Sequence, residues 1–281
     1  MIKILKGNKK GKSVLREQEN TSKYELPAEK SEPSDSLQDY SILLYGPKKI
    51  GKTSLTAQFE GAMSFMTEPG GKAQAMFQAP CRDWAELRGK TRLFIKDDRF
   101  RTGIVDTADL AYEQCLAYTC KKMVIDHPSD EAFGKGWNAV RKEFQSWVME
   151  LLGSGKGVIF ISHQKEHEFK TRRGDAFNKV GASMAGQAAD VIEGLVDIWG
   201  NYTYDGKRRY LIIGGSEEVD AGSRVEGHFI NGGGESIDRI PMGRNAKEAY
   251  RNFVAAFNNQ LHEELEEAVM SKKKLVIRKI K

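Results

Sequence analysis

Gly46-Pro47-Lys48-Lys49-Ile50-Gly51-Lys52-Thr53 decides the fold. The octapeptide fits the phosphate-binding pattern G-x-x-x-x-G-K-[ST] without a mismatch. Its flanks supply the context that the chemistry requires. Ser41-Ile-Leu-Leu-Tyr45 reads as a short buried strand, and Ser54-Leu-Thr-Ala-Gln-Phe59 as a helix. The glycines let the backbone curl until successive N–H groups point at phosphate oxygens. The helix N-terminus, opened by Thr53 and Ser54, adds a partial positive charge. Lys52 would reach the β- and γ-phosphates of ATP, and the Thr53 hydroxyl would hold Mg²⁺.

The bulk of the chain is compatible with that reading. Its 281 residues suffice for one α/β core with tails, and 40% apolar with 30% charged residues is ordinary soluble composition. No apolar run approaches the ~20 residues of a membrane span. Met1-Ile-Lys-Ile-Leu-Lys6 turns polar at once, unlike a signal peptide. Three cysteines, an odd number, suit a reducing cytoplasm better than a disulfide framework. Cys115, Cys120 and His127 lack a fourth ligand and a C-x-x-C pair, so core packing is favoured over zinc.

The net charge is only +5, but it is unevenly placed. Basic residues crowd the start (Lys3 to Arg16) and the end (Lys272 to Lys281). A third group is Lys165, Lys170, Arg172, Arg173 and Lys179. Clustered positive charge suits a polyanionic partner, although for the two tails simple solvation explains it equally well.

Residues 1–38 read as a flexible extension, because Glu19 to Ser36 is rich in Ser, Glu, Pro and Asn and poor in apolar residues. A core follows over 39–243. Its strands are Ser41–Tyr45, Met63–Thr67, Thr102–Asp106 and Gly157–Ser162, the last almost wholly apolar, as inside a sheet covered on both faces. Helices are expected from Asp109 and over Trp137 to Leu151, where apolar residues recur at helical spacing. Arg172 to Gly186 reads as a loop, and Ala188 to Leu195 as a short helix. Asp197–Trp199 and Arg209–Ile213 pair through a turn at Asp205-Gly206. An amphipathic helix is expected over 244–270, with Tyr250, Phe253, Val254, Phe257, Leu261 and Leu265 on its buried face and Asn245 with Glu248 as a capping box. A basic tail, 271–281, closes the chain. Strands alternating with helices after a phosphate loop predict an α/β fold with a mostly parallel sheet and helices on both faces.

Ligands in such sheets bind at the carboxyl ends of the strands. Asp106 ends its strand and could hold Mg²⁺ opposite Thr53, or cap the helix beginning at Asp109. Glu68 follows the second strand and could orient and deprotonate a water, or simply form the turn before Pro69-Gly70. His163 and Gln164 follow the apolar strand and could sense a γ-phosphate, or be a satisfied polar strand end.

The order GPKKIGKT, FMTEPGG, TGIVDTAD, GVIFISHQKE resembles the RecA-like core of P-loop ATPases. It is most similar to phage-encoded members, some of which are single-strand annealing recombinases. The segments His127-Pro-Ser-Asp130 and Gly134-Lys-Gly-Trp137 share the resemblance, which spans about Tyr40 to Arg251. It implies that Glu68 activates water, that Asp106 accompanies Mg²⁺, and that Gln164 with His163 senses the γ-phosphate. It implies that the loop holding Lys170, Arg172, Arg173 and Lys179 meets single-stranded DNA, with Phe169 and Phe177 free to stack on bases or to pack the loop down. It also implies that Val219-Asp-Ala-Gly-Ser-Arg224-Val supplies Arg224 to a neighbouring subunit's nucleotide. Gly222 stands where the family often has a lysine.

The expectation is thus an ATP-hydrolysing, Mg²⁺-dependent homo-oligomer with nucleotide at the subunit boundary. It would act on single-stranded DNA in phage recombination, annealing or replication, in the host cytoplasm and with a single-strand-binding protein as a candidate partner. The alternative is a nucleotide-gated loader or scaffold for a helicase, nuclease or packaging machine, with slow or no hydrolysis. A small-substrate kinase fits less well, since no lid or acceptor cluster is visible.

Overall fold

The computed structural model describes residues 27–170 and 176–261. The chain divides into Met1–Ser34 and Asp35–Lys281, and the architecture here is that of the second unit. Its strands are β1 (Ser41–Gly46), β2 (Ala62–Met66), β3 (Phe77–Pro80), β4 (Thr102–Asp106), β5 (Gly157–Lys170), β6 (Ala176–Ala182), β7 (Ile198–Asp205), β8 (Arg208–Ile212), β9 (Gly222–Ser223) and β10 (Arg239–Pro241). Its helices are α1 (Lys52–Thr56), α2 (Trp84–Ile95), α3 (Ala108–Met123), α4 (Lys135–Leu152), α5 (Gly186–Leu195) and α6 (Ala246–Phe257). The sheet runs β10-β8-β7-β1-β5-β4-β2-β3, with β6 paired to β5 and β9 to β7. From β7 to β3 all neighbours are parallel, while β6, β8, β9 and β10 join antiparallel. This is the expected α/β class, a mostly parallel sheet with helices on both faces.

Alternation along the strands divides the core in two. Leu43, Tyr45, Val105, Val158 and Phe160 face α2, α3, α4 and α5, where Trp84, Phe144 and Trp147 pack. Ile42, Leu44, Ile104, Ile159 and Ile161 face α1 and α6, where Leu55, Phe253 and Phe257 pack. Strands buried on both faces have no polar side to spare, which is why they read as continuous apolar runs. Cys115 and Cys120 are buried in α3, as expected.

Three expectations are corrected, and two further elements are added. The strand expected to end at Ser162 runs on to Lys170, and within the loop expected over Arg172–Gly186 β6 returns beside it, with Gln164 opposite Ala182 and His167 opposite Lys179. Polar residues line most of the hairpin, and among the described residues only Val180 and Ala182 at its root meet the core, so no regular apolar alternation marks it. The turn between β7 and β8 is Gly206-Lys207, one residue later than expected, since Asp205 pairs with Arg208 and Gly206 takes φ +59°. Nothing was assigned to 77–95, where β3 and α2 lie. Asp83 caps α2 by accepting from Glu86 N–H, and Glu86 in turn accepts from Arg82 N–H, a cap signal legible in D-x-x-E. Finally, the long helix over 244–270 ends at Phe257, where the chain turns and Asn259 takes φ +60°. Asn245 does cap it, accepting from Glu248 N–H at 3.0 Å, but Glu248 answers to Arg244 N–H and the Asn245 side chain. Phe253 and Phe257 are buried as expected, Leu261 is buried beyond the helix end, and Leu265 lies outside the described residues. No helix among the described residues is long and apolar enough to cross a membrane.

Candidate nucleotide-binding site

β1 delivers the phosphate loop at the carboxyl edge of the sheet. Gly46 is its last residue, and a Cβ there would lie 2.1 Å from Tyr202 O of β7, so only glycine fits. Gly51 takes φ +111°, a conformation that other residues avoid. Lys48 and Lys49 are exposed, whereas Ile50 is buried in the α1 and α6 face of the core. That burial anchors the loop while leaving its cationic side open.

Lys52 is only 6% exposed, and its ammonium donates to Gly46 O at 2.8 Å and Pro47 O at 2.9 Å. Burial depresses its pKa to about 8, against the pull of Asp106, Asp109 and Glu68. Thr53 Oγ1 donates to Asp106 Oδ2 at 2.7 Å. Asp106 is 2% exposed, and burial raises its carboxyl above the usual range despite that hydrogen bond. Ser54 Oγ accepts from Gln74 Nε2, which ties the loop's end to the segment after β2.

Glu68 and His163 come together across β4: Glu68 Oε2 lies 3.7 Å from His163 Nε2. His163 Nδ1 is buried with no hydrogen-bond partner. Gln164 Oε1 accepts from Asn201 Nδ2 at 3.2 Å, so the residue after His163 reaches over the end of β1 to β7. Five expected positions therefore converge: Lys52, Thr53, Glu68, Asp106 and His163, with Gln164 beside them.

Arg224 is not among them within one chain. Its backbone N–H donates to Asp197 O and its guanidinium to Gly194 O. Asp197 N–H in turn donates to Ser41 O, at the start of β1. The five steps from Ser41 to Gly46 put Arg224 about 17 Å of strand away from the loop. Lys165 and Lys179 lie on the β5–β6 hairpin; Lys165 donates to Met184 O, and Lys179 pairs with Asp220 at 3.1 Å. The side chains of Lys170, Phe169 and Phe177, and all of Arg172 and Arg173, lie outside the described residues.

Sequence reasoning missed three participants. Asp109 accepts from Ser162 Oγ at 3.1 Å and from Ser183 Oγ, joining α3 to the root of the β5–β6 hairpin. Asn201 holds Gln164. Arg209 of β8 donates to Ile50 O at 3.4 Å and sits against Gly51. Asp109 stands three residues after Asp106, at the first turn of a helix, and that spacing was a usable signal. Asn201 and Arg209 depend on strand order and register, which leave no local mark.

Thr53 Oγ1 and Asp106 Oδ2 are hard oxygen donors side by side next to a buried lysine. That donor set fits Mg²⁺ with a nucleotide rather than a softer metal. Fold and site together define a P-loop nucleotide-binding protein. A family model described as an AAA domain matches residues 38–225, more than half of the chain, and the chain belongs to that family. No curated protein matches it. Among solved structures, it is similar to the KaiC-like protein PH0186 from Pyrococcus horikoshii OT3 at 12% identity, over 73% of this chain and 85% of that one, with a TM-score of 0.41. It is also similar to the RadB recombinase at 14% identity, over 62% of this chain and 80% of that one, with a TM-score of 0.36.

Proposed function

We propose that the chain is a Mg²⁺-dependent ATPase that works as a homo-oligomer on single-stranded DNA, in phage recombination, annealing or replication. The observation that carries the ATPase reading is the Thr53–Asp106 hydrogen bond beside the buried Lys52. Thr53 and Asp106 would hold Mg²⁺, which when bound neutralises charge on the phosphates. Lys52 binds the β- and γ-phosphates, and its ammonium exchanges two loop carbonyls for phosphate oxygens. Glu68 orients a water and takes its proton, and His163, in contact with Glu68, holds that carboxylate in place. Gln164 passes the state of the site to the β5–β6 hairpin, whose Lys165 and Lys179 support the DNA reading.

Residues 39–243 with α6 form the ATPase unit in this reading, and 1–38 and 271–281 act as tails. Arg224, at the far edge of the sheet, would serve the neighbouring subunit's nucleotide. The test is ATP turnover by the purified chain with and without single-stranded oligonucleotide. Lys52→Ala is expected to lower turnover at least about a hundredfold, as loss of a charge-stabilising group does. Wild type that hydrolyses nothing in either condition ends the enzyme reading.

One observation favours the second reading, a nucleotide-gated loader or scaffold. A Cβ at Gly222 would lie 2.5 Å from the Trp199 ring, so the lysine the resemblance expects beside Arg224 would have to displace that ring. That reading predicts tight nucleotide binding, slow turnover and no salt-sensitive affinity for single strands.

A further inference from the structure

The β7–β8 hairpin and α6 enclose a cavity of about 580 Å³ next to the phosphate loop. Five cations line it: Lys207, Arg208, Arg209, Arg244 and Arg251. The one lining carboxylate, Glu248, accepts from Arg244 N–H and Asn245 Nδ2, both at 2.8 Å, and its charge also acts on Arg244 and Arg251, so the lining keeps an excess of four positive charges (five cations less one carboxylate). Arg209 donates to two backbone carbonyls, Ile50 O and Arg244 O, and so spans from the phosphate loop to the cavity. Among the described residues no ion pair joins any of the five to a carboxylate. Five like charges around one cavity repel each other, and an anion that gathers them is favoured.

The charge extends past the cavity. Lys48 and Lys49, both exposed, lie just before Ile50, and Lys247 is exposed on the first turn of α6. The basic residues therefore continue from the phosphate loop over the hairpin to the helix. An aromatic side chain stands beside Arg209 on the hairpin, outside the cavity lining. Tyr204 is 51% exposed and pairs directly with Arg209 in the β7–β8 register, so the two side chains share a face. A basic groove with an open aromatic face is the chemistry that holds unpaired bases.

We propose that this run of basic residues is a binding site for single-stranded nucleic acid, with phosphates on Arg208, Arg244 and Arg251 and a base on Tyr204. It is separate from the β5–β6 hairpin and lies on the opposite side of β1. It rests on the reading above for its partner, and adds a contact surface that neither motif nor resemblance marks. Arg209, in contact with Ile50 O, places the strand against the nucleotide loop.

The experiment is fluorescence anisotropy of a labelled oligothymidylate with the full chain over a salt series. Removing two phosphate contacts in Arg208→Gln/Arg251→Gln should make the slope of log affinity against log salt shallower by about 1.4. Tyr204→Ala should weaken binding about tenfold with the slope unchanged. An unchanged slope in the Arg208/Arg251 variant, with a flattened slope in Lys165→Gln/Lys179→Gln, overturns the proposal and leaves the hairpin reading standing. Equal competition by a blunt duplex overturns the single-strand assignment. If the Arg208/Arg251 variant instead loses MgATP affinity with its oligonucleotide slope intact, the cavity belongs to the nucleotide. Wild type with no salt-sensitive binding overturns this site and the DNA part of the proposed function together, while ATP turnover still decides the ATPase part.

Discussion

Two β-hairpins flank β1, and they differ in what their charges face. On one side β5–β6 carries Lys165 and Lys179, each already engaged: one with Met184 O, the other with Asp220. On the other side β7–β8 carries Lys207, Arg208 and Arg209 at its tip, facing Arg244 and Arg251 across a cavity with a single carboxylate, Glu248. Counting basic residues along the chain singles out the first hairpin. The fold singles out the second, because five cations there share one carboxylate, whereas Lys179 has Asp220 to itself. A half-buried pair such as Lys179–Asp220 is worth little net stability, but it still offsets the lysine's field toward a distant anion.

The comparison can be broken hardest at the roots of the hairpins. Gly46 is pressed against Tyr202 O of β7 at 2.1 Å from a Cβ position, and that neighbour is backbone that cannot swing aside. Gly181 of β6 would place its Cβ 3.5 Å from the His167 ring, an ordinary contact. Gly46→Ala should therefore cost about 3 kcal/mol or more and weaken nucleotide binding, by forcing β1 from β7. Gly181→Ala should cost under about 0.5 kcal/mol. Denaturant midpoints of the two variants check this, and equal midpoints would show that β1 is no more tightly bound to one hairpin than to the other.

How much of this was legible in the chain depends on distance along it. The strand–loop–helix context of Gly46–Thr53 read out because strand, loop and helix are adjacent in the chain, and Glu68 and Asp106 were found at strand ends because each closes or follows its own apolar strand. Thr102–Asp106 was placed to the residue, since a buried parallel strand is a pure apolar run closed by a polar residue. The β5–β6 hairpin did not read out, because its mostly polar strands meet the core only at the root and show no alternation. Arg209 did not, because its place at Ile50 follows from β7 pairing with β1 in parallel and β8 returning beside it. The end of α6 at Phe257 was hidden as well: the apolar spacing continues through Leu261, but a turn at Asn258–Asn259 carries Leu261 into the core instead of another helical turn.

Lys52 sits where the two sides meet. Carboxylates of Asp106, Asp109 and Glu68 draw on it from the β4 and β2 side, while Arg209 approaches the loop from the β8 side. Its pKa near 8 means that the free site loses the ammonium as pH rises above that value. A bound triphosphate favours the charged form, so binding takes up a proton in that range. Affinity for nucleotide should fall by about tenfold per pH unit above 8 and stay level below it. Calorimetry in buffers of different ionisation heat checks the proton uptake, and Lys52→Ala should abolish it. A flat affinity would mean that the loop lysine is not the group balancing the two sides.

The smallest expected effect lies at the foot of the β5–β6 hairpin. Glu193 of α5 lines a cavity with His167, Lys179, Asp190 and Asp220. Burial first, then Asp220 and Asp190, raise its pKa from 4.5 to about 7, while Lys179 opposes them. A carboxyl with a raised pKa is content when protonated, so its ionisation costs stability as pH rises from 4.5 to 7, and the loss is complete above that window. Glu193→Gln should match wild type in acid and exceed it by about 1 kcal/mol above neutrality, after allowance for partial exposure. Thermal unfolding across that window measures the difference. A variant no more stable than wild type at high pH would mean that the Lys179–Asp220 pair already satisfies this corner, and that the first hairpin's cations are more fully neutralised than their distances indicate.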